Sequence, residues 1–249
     1  MPISDRQEAL LRAIITDYTV SAKPVSSGQL AERKDLDVSP ATVRNDMAVL
    51  EEAGFLQQPY TSAGRIPTEK AWRWYVQQID EGNKVNRKNQ ERLQTVAHTH
   101  RDSEQDMLRQ LAKTLADVAD ETIIIAFGKT DTYYTGLSNL FQQPEFEDVD
   151  ELQNLSRVVD HLDVVMARLF ERIRGDVQIL VGTENPISPQ CGTLLVRYDL
   201  PRRQAGSVGP EQRSGLIGIL GPLRQDYSGH MALLRFTQSL LNTVEHGSR

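Results

Sequence analysis

Apolar residues recur at helical spacing from the start of the chain. Leu10, Leu11, Ile14, Ile15 and Tyr18 fall on one side of a helix over residues 4–20, and Pro24 closes that segment. Ser26 or Ser27 caps a short helix with Leu30 and Ala31 inward, and the polar loop 35–38 leads to Ser39. A third helix starts there. Ser39 is placed to cap it, Pro40 suits its first turn, and Gly54 supplies a left-handed stop. At about 100° per residue, Val43, Met47 and Leu50 form its core stripe. Phe55 and Leu56 begin a strand, Thr61–Arg65 makes a hairpin tip, and Ile66 returns. Residues 68–80 form a further helix with Trp72, Tyr75, Val76 and Ile79 on one side; Trp72 and Trp74 read as packing residues. Three helices followed by an Arg-tipped hairpin are the plan of a winged helix-turn-helix.

The pattern changes after residue 82. Residues 83–120 are charged and Gln-rich; Met107, Leu108, Leu111, Leu115 and Val118 make the second half amphipathic, while the first half reads as an exposed helical linker. From 122 onward strands and helices alternate. Strands are expected near 122–127, 132–136, 177–182, 192–198 and 215–220, and helices near 149–173 and 226–245. Leu152, Leu155, Val159, Leu162, Met166, Leu169 and Ile173 give the first of these helices one apolar flank. The expectation is an α+β domain with helices on one side of a mainly antiparallel sheet. Three regions result: a DNA-binding head over 1–82, a helical linker over 83–121, and a regulatory or dimerising domain over 122–249.

The third helix carries the candidate chemistry. Ala41, Arg44, Asn45 and Ala48 lie away from its core stripe. Small residues let a backbone approach a major groove, an Arg can fork onto guanine O6/N7, and an Asn onto adenine N6/N7. Ser39, Thr42, Thr61, Ser62 and Arg65 are candidates for gripping the phosphate backbone, with Arg65 reaching toward the minor groove. A run such as Arg44–Asn45–Asp46 is also the commonplace solvated helix face with a local ion pair. Alone, the helix supports both readings equally; the flanking helices and the hairpin favour the groove.

Charge complicates that picture. The formal net charge is −6, and residues 1–80 hold about as many acidic as basic side chains, whereas DNA-binding domains are commonly basic. Binding would then depend on local placement of Arg44, Arg65, Lys70 and Arg73, with a moderate salt dependence. The 39% hydrophobic content and mean hydropathy of −0.44 describe an ordinary soluble chain. No apolar run approaches the about 20 residues that span a bilayer, and the polar start is not read as a signal peptide. A single cysteine, Cys191, fits a reducing cytoplasm and reads as a buried thiol. No nucleophile–base pair, metal cluster or phosphate loop is present, so an enzyme is not expected and no cofactor is called for. His98 and His100 point apart on a helix and lack companions for a metal.

The stretch SPATVRNDMAVLEEAGFLQQPYTSAGRIPTEKAWRWYV, with GLSNLFQQPEF (136–146), VGTEN (181–185) and GILGPLRQDYSGHMALLRFTQSLL (218–241), resembles the heat-inducible transcription repressor HrcA family nearly end to end. The resemblance implies a shortened GAF-like fold after residue 122 and a homodimer on an inverted-repeat operator. It further implies repression of chaperone operons and activity tied to the chaperonin. One departure stands out: TIIIAFG (122–128) runs through KTDTYYT directly into GLSNLF, so the family's inserted dimerising region is expected to be missing. A smaller one is GPLRQDY, where many members have a Thr and a Met. Glu184, Asn185, Arg224, Asp226 and Tyr227 are candidates for a regulatory pocket, with turn geometry as the plainer reading of the neighbouring glycines. The runner-up function is a metabolite-responsive regulator with the same DNA head.

Overall fold

The computed structural model describes residues 3–36, 38–79, 82–100, 103–129, 131–147, 149–201 and 213–243, leaving aside the side chains at 149, 151, 152 and 213. The chain divides into two compact units, residues 1–79 with 223–226, and residues 80–222 with 227–249. Leu152 of the expected apolar flank, Asp80 at the end of the fourth expected helix, and residues 244–245 of the last one lie outside the described residues.

The first unit runs α1 (Asp5–Ser21), α2 (Ser27–Ala31), α3 (Pro40–Glu52), β1 (Leu56–Gln57), β2 (Ile66–Pro67) and α4 (Glu69–Val76). Each helix starts where a hydroxyl can accept an orphan amide: Ser4, Ser26, Ser39 and Thr68 cap α1, α2, α3 and α4. α3 ends in a Schellman motif. Gly54 adopts φ 77°, the Gly54 amide donates to Glu51 O, and the Phe55 amide donates to Leu50 O, each at 2.9 Å. Leu10, Leu11, Ile14, Ile15, Leu30, Val43, Met47, Leu50, Phe55, Leu56 and Trp72 are buried. Each buried aliphatic chain contributes about 1.5–3 kcal/mol. Trp72 packs edge-on to Tyr75, and Trp74 lies against Phe55, so both indoles serve packing.

The second unit runs α5 (Arg87–Thr99), α6 (Glu104–Ala119), β3 (Thr122–Ala126), β4 (Thr132–Thr135), α7 (Leu137–Phe141), α8 (Val149–Val159), α9 (Leu162–Arg172), β5 (Gln178–Val181), β6 (Cys191–Leu200), β7 (Arg213–Pro222) and α10 (Tyr227–Thr243). The five strands form one sheet, ordered β4-β3-β7-β6-β5 and antiparallel throughout. Residues 83–121 are not a linker: α5 and α6 pack on each other within this unit, burying Leu93 and Ala97 of α5. The helix expected over 149–173 is two helices, divided at Asp160–His161 by a tight turn in which the His161 amide donates to Val158 O.

Helices cover both faces of the sheet, not one. Cross-strand partners share a face, so Ile124, Leu195, Leu216, Leu220 and Cys191 lie together and pack with Leu155, Leu162, Met166 and Leu169 of α8 and α9. On the opposite face Ile123, Ile125, Leu194, Val196, Tyr198, Ile217 and Ile219 are equally buried, and α6 and α10 contact the strands there. The sequence signal was in β3 itself. TIIIA is continuously apolar, as strands covered on both sides are, and does not alternate. Among the described residues no helix is long and apolar enough to cross a membrane.

The middle of this sheet is tight at Gly215. A Cβ there would lie 2.2 Å from Tyr198 Cζ and 2.4 Å from Ala126 O, in a place where the Tyr198 hydroxyl donates to that same carbonyl at 3.4 Å. Gly215→Ala should therefore destabilise the second unit by about 1–3 kcal/mol, the usual effect of overpacking. Gly128→Ala, with open space around its would-be Cβ, should leave the denaturant midpoint unchanged. Parallel equilibrium unfolding of the two variants checks this.

Candidate nucleic-acid interface

The outward face of α3 is the expected one. Ala41, Arg44, Asn45 and Ala48 are exposed at i, i+3, i+4 and i+7, while Val43, Met47 and Leu50 are buried behind them. Arg44 Nε donates to Ser27 Oγ of α2 at 3.4 Å, and the side-chain amide of Asn45 makes no hydrogen bond to another described residue. At the helix start, Ser39 Oγ accepts from the Thr42 amide at 3.2 Å and lies 2.9 Å from Thr42 Oγ1. Ser39 is exposed and Thr42 half-buried, beside the positive end of the helix dipole.

Asp46 does not belong to that face. Its carboxylate is 7% exposed and accepts from Arg6 Nε at 2.7 Å, Arg6 Nη2 at 3.1 Å and Gln7 Nε2 at 3.3 Å. The ion pair considered for the Arg44–Asn45–Asp46 run thus forms with α1. The side chain follows from position: Asp46 stands three residues after Val43 and four before Leu50, on the inward stripe. The Arg6 hydrogen bonds hold the Asp46 carboxyl below the usual carboxylate range, against the opposing effect of burial. With Asp46 turned in, its carboxylate does not share the outward face with Arg44 and Asn45.

The hairpin differs from expectation. Its tip is a turn in which the Ala63 amide donates to Tyr60 O at 2.8 Å, with Tyr60, Thr61 and Ser62 exposed. Arg65 sits at the base and not at the tip. Its amide and carbonyl pair with Val25 O and N at 2.8 and 2.9 Å, and its guanidinium Nε donates to Glu51 Oε2 of α3 at 2.8 Å. In this bridge the Arg65 side chain is 23% exposed. Gly64 is required for the same contact, because a Cβ would fall 2.3 Å from Val25 O.

The other cations assigned to the groove are also committed within the unit. Lys70 Nζ donates to Ala53 O at 2.6 Å, closing the C-terminus of α3, and lies 4.4 Å from the Phe55 ring centre. Arg73 bridges Glu69 at 2.7 Å, and Arg33 bridges Asp17 and Asp35. Arg12 lies over the Trp74 ring at 5.0 Å. Across residues 3–79, Lys23, Lys34 and Arg44 are the described cations without a carboxylate, carbonyl or ring partner.

The five pocket candidates are divided between the two units. Glu184, Asn185 and Tyr227 belong to the second unit, and Arg224 and Asp226 to the first. Asn185 is buried and holds its own turn: Nδ2 donates to Cys191 O at 3.0 Å and Thr193 Oγ1 at 2.9 Å, and Oδ1 accepts from the Ile187 amide at 3.1 Å. Glu184 Oε1 accepts from the Val181 amide at 3.4 Å, and Tyr227 is buried at the start of α10. Cys191 is buried at the start of β6, and His98 is exposed. Among the described residues no three His, Cys, Asp or Glu side chains are placed to hold a metal ion.

A family model described as the HrcA protein C-terminal domain matches residues 79–231, and one described as a DeoR-like helix-turn-helix domain matches residues 6–68. A heat-inducible transcription repressor HrcA of Carboxydothermus hydrogenoformans is 24% identical, with 97% of this chain and 98% of that protein covered. The match extends over 342 positions, more than the 249 residues here, so the relative carries residues inside it that this chain lacks. Another protein of that description, from Kineococcus radiotolerans, is 42% identical over 123 residues, 49% of this chain and 35% of its own. Among solved structures, the crystal structure of a hypothetical protein matches with a TM-score of 0.70 at 17% identity, covering 96% of both chains. At that identity the likeness shows the fold.

The Asp46 clamp has a pH signature. A carboxyl whose folded pKa is lowered stabilises the fold fully above its unfolded pKa, and that stabilisation fades as the pH falls through the lowered folded value. Asp46→Asn should lower the melting temperature at neutral pH and flatten the acid limb of the stability curve. Thermal melts of both proteins across the acid range provide the comparison.

Proposed function

The chain belongs to the HrcA family, and we propose on that footing that it is a sequence-specific DNA-binding transcription repressor acting as a homodimer on an inverted repeat. The observation that carries the reading is the outer face of α3, where Arg44 and Asn45 stand exposed between Ala41 and Ala48 above a capped helix start. Helices of this kind enter the major groove with their N-terminal half toward the bases. Arg44 and Asn45 read base edges; Ser39, Thr42, Thr61 and Ser62 hold backbone oxygens. Arg65, bridged to Glu51, fixes the hairpin against α3 and makes no base contact of its own.

Two heads on successive major grooves occlude the promoter, and because few cations remain uncommitted, affinity rests on base contacts more than on counterion release. Chaperone operons as targets, heat as inducer and a chaperonin as modulating partner come with the family, as does action in the cytoplasm. Heat induction follows if the contacts between copies melt before the heads do. Catalysis has no place in this reading, and Asn185, occupied by its own turn, lends none to a metabolite sensor.

Selection of binding sites from a random duplex pool tests the proposal. An inverted repeat should be enriched, and its single half-site should bind more weakly. Arg44→Ala should lose about 1–3 kcal/mol of discrimination at one position of each half-site while other positions keep theirs. Enrichment of no motif by the parent protein would sink the reading.

A further inference from the structure

The hairpin ends in a side chain that the fold does not use. Tyr60 is 63% exposed, and its ring and hydroxyl have no partner among the described residues. Aromatic side chains bring a large apolar area and usually find packing or a hydrogen bond. This one stands on a braced support. Gln58 Nε2 donates to both Thr61 O and Ala63 O at 2.9 Å, tying the two sides of the turn together. Below it the Arg65–Val25 bridge and the Gly64 contact anchor the hairpin to the segment before α2, and Arg65–Glu51 anchors it to α3. A tip held at three points and carrying an unused phenol is preorganised for a partner.

We propose that Tyr60 is the hairpin's principal DNA contact, its hydroxyl donating to a backbone phosphate oxygen and its ring lying on the adjoining sugar beside the groove that α3 occupies. The inference rests on the repressor reading and names the residue that Arg65 was expected to be. A neutral donor suits this head. Its uncommitted cations are few, and a phenol adds a charge-assisted hydrogen bond without entering the counterion balance. The contact is to the backbone, so it supports affinity for every sequence.

Tyr60→Ala and Tyr60→Phe in the full-length protein, measured against the selected duplex and a random duplex at several salt concentrations, form the test. Tyr60→Ala should weaken both duplexes about tenfold, the scale of one hydrogen bond to a charged group, and leave the slope of log affinity against log salt unchanged. Tyr60→Phe should recover part of the loss through the ring. Binding by Tyr60→Ala within about twofold of the parent overturns the proposal, and so does a loss confined to the selected duplex. In either case the Arg44→Ala result leaves the repressor reading standing or falling by itself. Unchanged thermal melts should show that the exposed substitutions leave the fold intact.

Discussion

The carboxylate of Asp46 sets the presentation of α3. Apolar packing of Val43, Met47 and Leu50 places α3 on the core, but such contacts are nearly non-directional and tolerate rotation. The forked Arg6 guanidinium and the Gln7 amide have directional demands, and they converge on one side chain 7% exposed to solvent. With Asp46 held inward, Arg44 and Asn45 point out on the next part of the turn. The same arrangement removes a negative charge from the face where phosphates would come. One buried acid thereby serves both the geometry of the helix and the electrostatics of its surface.

Cations are distributed in the same spirit. Arg65 and Lys70 each fasten one element of the head to another, hairpin to α3 and α4 to the end of α3, and Arg73 ties one turn of α4 to the next. Half-exposed bridges of this kind contribute little individually, with a median near 0–1 kcal/mol. Their joint effect is to make the head specific in shape while leaving it nearly neutral.

Much of this was legible in the sequence because the relevant signals are local. Ser39, Pro40 and Gly54 marked both ends of α3, and a helical period sufficed to turn Arg44 and Asn45 outward. The role of Arg65 was not legible, since its partner Glu51 lies fourteen positions away and only folding brings them together. Tyr60 was passed over because an aromatic beside a proline in a loop carries no periodicity. For Asp46 the signal existed: an acid on an apolar stripe needs a buried partner. In the second unit the helices on the second face were legible only in TIIIA, whose unbroken apolar run marks a strand covered on both sides.

The strand order has a consequence for how the protein is made. β7 lies at the centre of the sheet between β3 and β6, yet it is the last of the five strands to leave the ribosome. Until it emerges, β4-β3 and β6-β5 are two separate ribbons, each with an open edge and an uncovered apolar surface. Two-stranded ribbons of that kind are marginal in water, and exposed edges invite mispairing. The head, complete within the first 79 residues apart from a short return segment, meets no such delay. The nascent chain therefore passes through a stage in which the helices and hairpin of the first unit have all emerged while its sheet is still two halves awaiting a keystone.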